Sequence, residues 1–166
     1  PDDTGVSDWL NTKDHKAYMN GYPDGSFVPD RNMTRAEAAQ MFFNLLLDQN
    51  VESSATFSDV PKDAWYAEAV NTLASLGMIN GMGDGLYCPE RSVTRAEFTA
   101  MAMRFAKLPE GGENIFSDVS ESDWFYDMVT GAVPYGWING YPDGTFRPNN
   151  TITRAEVTAI VNRMLG

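Results

Sequence analysis

The chain repeats one phrase three times: "NGYPDGSFVPDRNMTRAE" at residues 20–37, "NGMGDGLYCPERSVTRAE" at 80–97 and "NGYPDGTFRPNNTITRAE" at 139–156. The Thr-Arg-Ala-Glu tetrads begin at Thr34, Thr94 and Thr153, 60 and 59 residues apart, and the Asn-Gly pairs at Asn20, Asn80 and Asn139 keep the same spacing. Upstream, "FSDVPKDAWY" from Phe57 and "FSDVSESDWFY" from Phe116 also lie 59 residues apart, which aligns Trp65 with Trp124. A fixed period of this length dictates a repeat architecture, in which units too small to bury their own apolar faces pack on one another.

Each unit reads as a first helix, an irregular loop and a second helix. The second helix carries apolar residues at i, i+3, i+4 and i+7 in every copy: Ala38, Met41, Phe42, Leu45; Phe98, Met101, Ala102, Phe105; and Val157, Ile160, Val161, Met164. This is the stripe of an amphipathic helix. In the second unit the first helix shows Trp65, Ala69, Val70, Leu73 and Leu76 and is expected to stop at Gly77 in a left-handed cap. Pro134 should bend or finish the matching helix of the third unit. Between the helices, Pro23-Asp24-Gly25 and Pro142-Asp143-Gly144 are tight-turn chemistry, and Met82-Gly83-Asp84-Gly85 is a looser version. The β-pattern is too thin to predict a sheet.

These elements predict a mainly α chain with units at 1–52, 53–110 and 111–166 that together form one integrated domain. An open stack would need polar terminal caps, which the sequence does not show. Closure of the three units around a pseudo-threefold axis is therefore expected. The first unit departs from the pattern: Trp9 lies 11 residues before Asn20, whereas Trp65 and Trp124 lie 15 before their asparagines, so its first helix should be short or remodelled.

Net charge bounds the partners. At −11, with a sequence pI near 4.3, the chain lacks a general basic footprint for nucleic acid or an anionic membrane. An anionic partner would need a local site. The single cysteine, Cys88, forms no internal disulfide, and no Cys/His spacing suits zinc. No run of about 18 apolar residues predicts membrane insertion, and the start at Pro1 without a signal segment is expected of a processed or excised fragment. The "PDG" loops lack the alternating oxygen donors of an EF-hand, and His15, the only histidine, is expected to hydrogen-bond locally. No nucleophile and base stand together, so no enzyme activity and no cofactor are expected; a carboxylate-based glycoside hydrolase is the weaker alternative.

The tetrad asks for more than structure. Thr-x-x-Glu is a capping box, expected in all three copies, in which Thr accepts from the N3 amide and Glu returns to the Thr amide. That accounts for Thr and Glu but not for Arg35, Arg95 and Arg154, since a cation in the first turn opposes the helix dipole by up to about 1 kcal/mol. Two readings stand open: each arginine pairs with a neighbouring carboxylate, or it joins the free amides of the helix start to hold a small carboxylate or phosphate. The threefold recurrence favours binding. On that reading an Arg→Ala change weakens the ligand and leaves the melting temperature nearly unchanged. Trp65 and Trp124 are expected to pack along one edge and offer the other to a sugar, while Asp59 and Asp118 are first loop or cap hydrogen-bonders.

"FSDV…W" followed by "GYPDGTF.P…ITRAE", the pattern of the third unit, resembles the S-layer homology family, and three consecutive copies match its usual array. The third copy matches best, the second departs at "GMGDGLYC", and the first lacks "FSDV". The resemblance implies a pseudo-threefold bundle of helix-loop-helix motifs with grooves between adjacent repeats. It further implies a secreted, noncovalent cell-wall anchor for the remainder of a parent S-layer or exoenzyme protein, binding a secondary cell wall polymer that carries pyruvylated N-acetylmannosamine. The matching ligand-binding residues are Arg35, Arg95, Arg154, Trp65, Trp124, Asp59, Asp118 and the loop glycines Gly21, Gly81 and Gly140, with Trp9 an uneven equivalent. A self-assembly module binding further copies of the protein is the structural alternative.

Overall fold

The computed structural model describes residues 4–14, 17–19, 21–22, 24–108 and 112–166; His15, Asn20 and Pro23 lie outside them. Among the described residues the regular structure is helical: a 3-10 turn at Val6–Asp8, then α1 (Arg35–Leu45), α2 (Ala67–Ser75), α3 (Arg95–Met103), α4 (Tyr126–Ala132) and α5 (Arg154–Leu165). Backbone pairing between extended segments is confined to isolated bridges, as the sparse β-pattern predicts.

The helix ends follow from local chemistry. Helix α2 stops where expected: Gly77, at φ 77°, donates to the Ala74 carbonyl, and Met78 donates to Leu73 at 2.9 Å. These paired bonds satisfy carbonyls that the helix leaves open. Helix α4 ends at Ala132, two residues before Pro134, whose missing N–H cannot continue the ladder. The first unit's opening helix is reduced to the 3-10 turn before Trp9.

Each second helix packs on the opening element of another unit: α1 on α2, α3 on α4, and α5 on the 3-10 turn. The predicted second-helix stripes are buried throughout. Phe42 stacks on Phe98 and Phe105, with ring centroids 5.5 and 4.8 Å apart, joining the cores of the first two units. In the α2 stripe Ala69, Val70 and Leu73 are buried, but Trp65 precedes the helix and stands in solvent.

The three segments that lead into the tetrads bond to one another in a cycle. Met33 donates to the Ile152 carbonyl (3.1 Å), Val93 to Met33 (2.8 Å) and Ile152 to Val93 (2.9 Å). All three side chains are buried. One residue layer further on, the backbone N–H of Arg35 donates to Arg91, that of Arg95 to Asn150 and that of Arg154 to Arg31, at 2.8–2.9 Å. In this outer layer the donors run from the first unit to the second, the second to the third and the third back to the first, opposite in sense to the inner cycle, and both layers close on themselves.

Candidate functional site

This circuit decides what the tetrads can do. The first N–H groups of a helix have no intrahelical partner and are the usual anion-binding donors. Here they are spent: the Arg35, Arg95 and Arg154 amides go to the carbonyls just named, and those of Ala36, Ala96 and Ala155 go to Pro89, Pro148 and Pro29. The expectation of free amides at the helix starts is corrected accordingly.

The guanidinium groups are also engaged, contrary to the expectation that they stand open. Arg35, Arg95 and Arg154 are 6%, 7% and 4% exposed. Their Nε atoms donate to the carbonyls of Tyr87, Phe146 and Phe27 at 2.8–3.0 Å, and each group lies over the ring of the residue whose carbonyl it bonds. Each arginine also meets the glutamate of another tetrad: Arg154 with Glu37 at 2.9 Å, Arg95 with Glu156, and Arg35 with Glu97 at a looser 3.7 Å. A cation in the first turn is thus answered by a carboxylate and a carbonyl across the repeat boundary, which offsets the dipole penalty. Burial holds the Arg95 guanidinium below the usual arginine range. Such buried partners make the arginines part of the scaffold, so the expectation that alanine there spares the melting temperature is withdrawn.

The capping boxes divide the same way. Thr34, Thr94 and Thr153 each accept from the N3 amide at 3.1–3.2 Å, but the reciprocal bond from the glutamate is complete only in the first copy, where the Thr34 amide donates to Glu37. Glu97 turns instead to Arg91, whose Nη1 contacts both carboxylate oxygens at 3.0 and 2.9 Å. Glu156 turns to Arg95 and to the Thr153 hydroxyl.

Asp59 and Asp118 are loop clamps, as expected first. Asp59 accepts from the Tyr87 and Cys88 amides at 2.8 and 2.7 Å, and Asp118 from Phe146 and Arg147 at 2.8 Å each. Both clamps fix a residue with positive φ, Cys88 at 58° and Arg147 at 59°. Asp24 and Asp143 close the tight turns. Hydrogen bonds from Ser26 and Thr145 hold their carboxyls below the ordinary range. Gly81 and Gly140 are required by close approach: a Cβ at Gly140 would lie 2.5 Å from the Phe116 ring and 2.8 Å from the Thr145 carbonyl.

Three clefts border these tetrads, of about 320, 390 and 320 Å³, within the range of small-ligand sites. Groove one joins Arg154 to Gly21, Tyr22, Glu37 and Trp65. Groove two joins Arg35 to Gly81, Glu97 and Trp124, and groove three joins Arg95 to Gly140, Tyr141 and Glu156. Trp65 and Trp124 are 62% and 65% exposed and meet the rings of Tyr66 and Phe125 edge-on, so most of each indole is open to solvent. Trp9, Asp59 and Asp118 line none of the three, and groove three has no tryptophan wall among the described residues.

The grooves differ in charge. Groove one sets Arg31 and Arg154 against Glu37 and Glu90. Groove three sets Arg95 and Arg163 against Glu156. Groove two gathers Arg35, Arg91 and Arg104 around Glu97, its one carboxylate among the described residues. Because Arg91 takes both oxygens of Glu97, Arg35 Nη1 is left with the 3.7 Å contact. Local sequence reasoning missed Arg91, Arg104 and Arg163; aligning the copies beyond the tetrad places Arg104 and Arg163 at one repeat position, where the first copy has Asn44.

Comparison with known proteins agrees with this architecture. The S-layer homology domain model matches residues 15–39, 56–99 and 115–158. The chain is 39% identical to cell surface glycoprotein 1 and 38% identical to the cellulosome-anchoring protein, both of Acetivibrio thermocellus, over 92% and 93% of its own length. It is 34% identical, over 98% of its length, to an amylopullulanase of Thermoanaerobacterium thermosulfurigenes. It spans only 7%, 36% and 9% of those three proteins. With three matched segments spread over most of its length, the chain belongs to the S-layer homology domain family.

Proposed function

We propose that this chain is a noncovalent cell-wall anchor at the bacterial surface, holding a larger surface protein by binding an acidic secondary cell wall polymer in its grooves. Pyruvylated N-acetylmannosamine is the unit bound, and no catalysis belongs to this reading. The observation that carries it is groove two: in a chain of net charge −11, three arginines converge on one glutamate beside an exposed tryptophan.

The chemistry follows from what is left unspent. Glu97 is occupied by Arg91, so a ligand carboxylate entering groove two completes the coordination of Arg35 Nη1. Each such charged hydrogen bond is worth about 1.5–3 kcal/mol net. On this reading the exposed Trp124 face covers the sugar ring. Groove one, with its carboxylates and arginines balanced, should bind the same unit more weakly. Several grooves on one polymer chain raise retention through effective concentration.

The name of the cellulosome-anchoring protein supports the role, and the small share of each relative that the chain spans suits a module carried by a larger protein. The test is co-sedimentation of the purified chain with cell walls before and after the secondary polymer is stripped. Binding that survives stripping refutes the proposal. Calorimetry with pyruvylated and unmodified N-acetylmannosamine then identifies the unit.

A further inference from the structure

Each second helix ends over the same backbone carbonyl of its own repeat. Asn44 Nδ2 donates to the Tyr18 carbonyl at 3.3 Å, Arg104 Nη1 to Met78 at 3.2 Å and Arg163 Nη1 to Trp137 at 3.2 Å. The three acceptors are themselves 60 and 59 residues apart, so this is one structural bond made three times. The bland reading of Arg104 is a cation at a helix C-terminus that favours the dipole and caps a carbonyl. Asn44 makes the same bond without charge. The fold therefore asks for a donor at this place, and the positive charge of Arg104 exceeds that need.

Groove two gives the surplus charge a direction. Arg104 is half-buried, lines the groove with Arg35 and Trp124, and makes no ion pair with a carboxylate among the described residues; the Met78 carbonyl is its hydrogen-bond acceptor. Burial and the facing Arg35 charge both push its guanidinium below the usual arginine range. Two like charges held in one cleft, one of them without a carboxylate partner among the described residues, cost free energy that an entering anion would relieve.

We infer that Arg104 is a specificity-determining residue of groove two, which makes that groove select acidic over neutral saccharides, while Asn44 leaves groove one without this selection. The inference rests on the anchoring role proposed above and adds to it the residue that sets ligand charge. Arg163 places a similar surplus in groove three, where no tryptophan wall accompanies it among the described residues.

The experiment measures affinity by calorimetry for pyruvylated and for unmodified N-acetylmannosamine, with the native chain, R104N and R104K. The native chain should prefer the pyruvylated sugar, R104N should reduce that preference about tenfold or more, and R104K should retain most of it. R104N should melt within a few degrees of the native chain, because asparagine already serves at position 44. An unchanged preference in R104N, equal loss for both sugars, or an unfolded R104N overturns the inference and leaves the anchoring role standing. If the native chain binds neither the pyruvylated sugar nor stripped and unstripped walls differently, both fall together.

Discussion

Arg154 of the last tetrad donates to Glu37 of the first across 2.9 Å, so the start of the final helix is tied to the start of the first long one. Removing the acceptor charge leaves a nearly buried guanidinium with weaker partners. E37Q should destabilise the chain by about 3 kcal/mol, whereas E68Q, at an exposed position in α2, should stay within about 0.5 kcal/mol. Urea denaturation of the two variants checks this.

Asp118 separates clamp from ligand contact. Its two oxygens hold the Phe146 and Arg147 amides, and Arg147 sits at φ 59°. D118A should cost about 2–3 kcal/mol and speed hydrogen exchange at those two amides. A D118A chain that loses sugar affinity but keeps native exchange would instead make Asp118 a direct contact.

Tyr87 should make the chain fail in alkali. Its ring is fully buried, its hydroxyl donates to the Arg35 carbonyl at 2.8 Å, and burial pushes its pKa up to about 12 from 10.0. The folded state thus disfavours the phenolate. The stabilisation is intact below pH 10 and disappears as pH rises towards 12, by about 2–3 kcal/mol in all. Denaturation midpoints taken from pH 9 to 12 should decline over that window, and Y87F should remove most of the slope.

Trp124 should matter to ligand and not to fold. W124A is expected to change stability by no more than about 0.5 kcal/mol and to weaken pyruvylated N-acetylmannosamine about three- to tenfold. W9A, outside the grooves, should leave that affinity unchanged. Indole fluorescence on titration distinguishes the two.

Gly140 has no room for a side chain. G140A drives a methyl group into the Phe116 ring and the Thr145 carbonyl, and should cost about 1–3 kcal/mol as overpacking. G144A, where open space surrounds a φ of 83°, should instead show backbone strain, readable as a loss of stability without displacement of Phe116.

The helices were legible because period and stripe are local: Phe42, Phe98 and Val157 announce their buried faces within one turn, and Gly77 and Pro134 announce the stops. The role of the arginines was not. Read along the chain, the Glu97 carboxylate belongs to Thr94, whereas in space it meets Arg91 of its own copy and Arg35 of another tetrad. Only the closed circuit brings the glutamate of one tetrad to the arginine of another, and a tetrad's own neighbours carry no trace of that exchange. Trp65 illustrates the opposite error. Its position fits the helical stripe, but the helix begins two residues later and leaves the indole in water.

The cycle through Met33, Val93 and Ile152 also bears on growth by addition. A linear stack presents two terminal faces with unspent backbone donors and acceptors, each a template for a second molecule. Here the third segment is already bonded to the first, so a foreign segment could enter only by displacing a native one. A lattice built from such chains would have to be knitted from their outer flanks, with every molecule's central layer left intact.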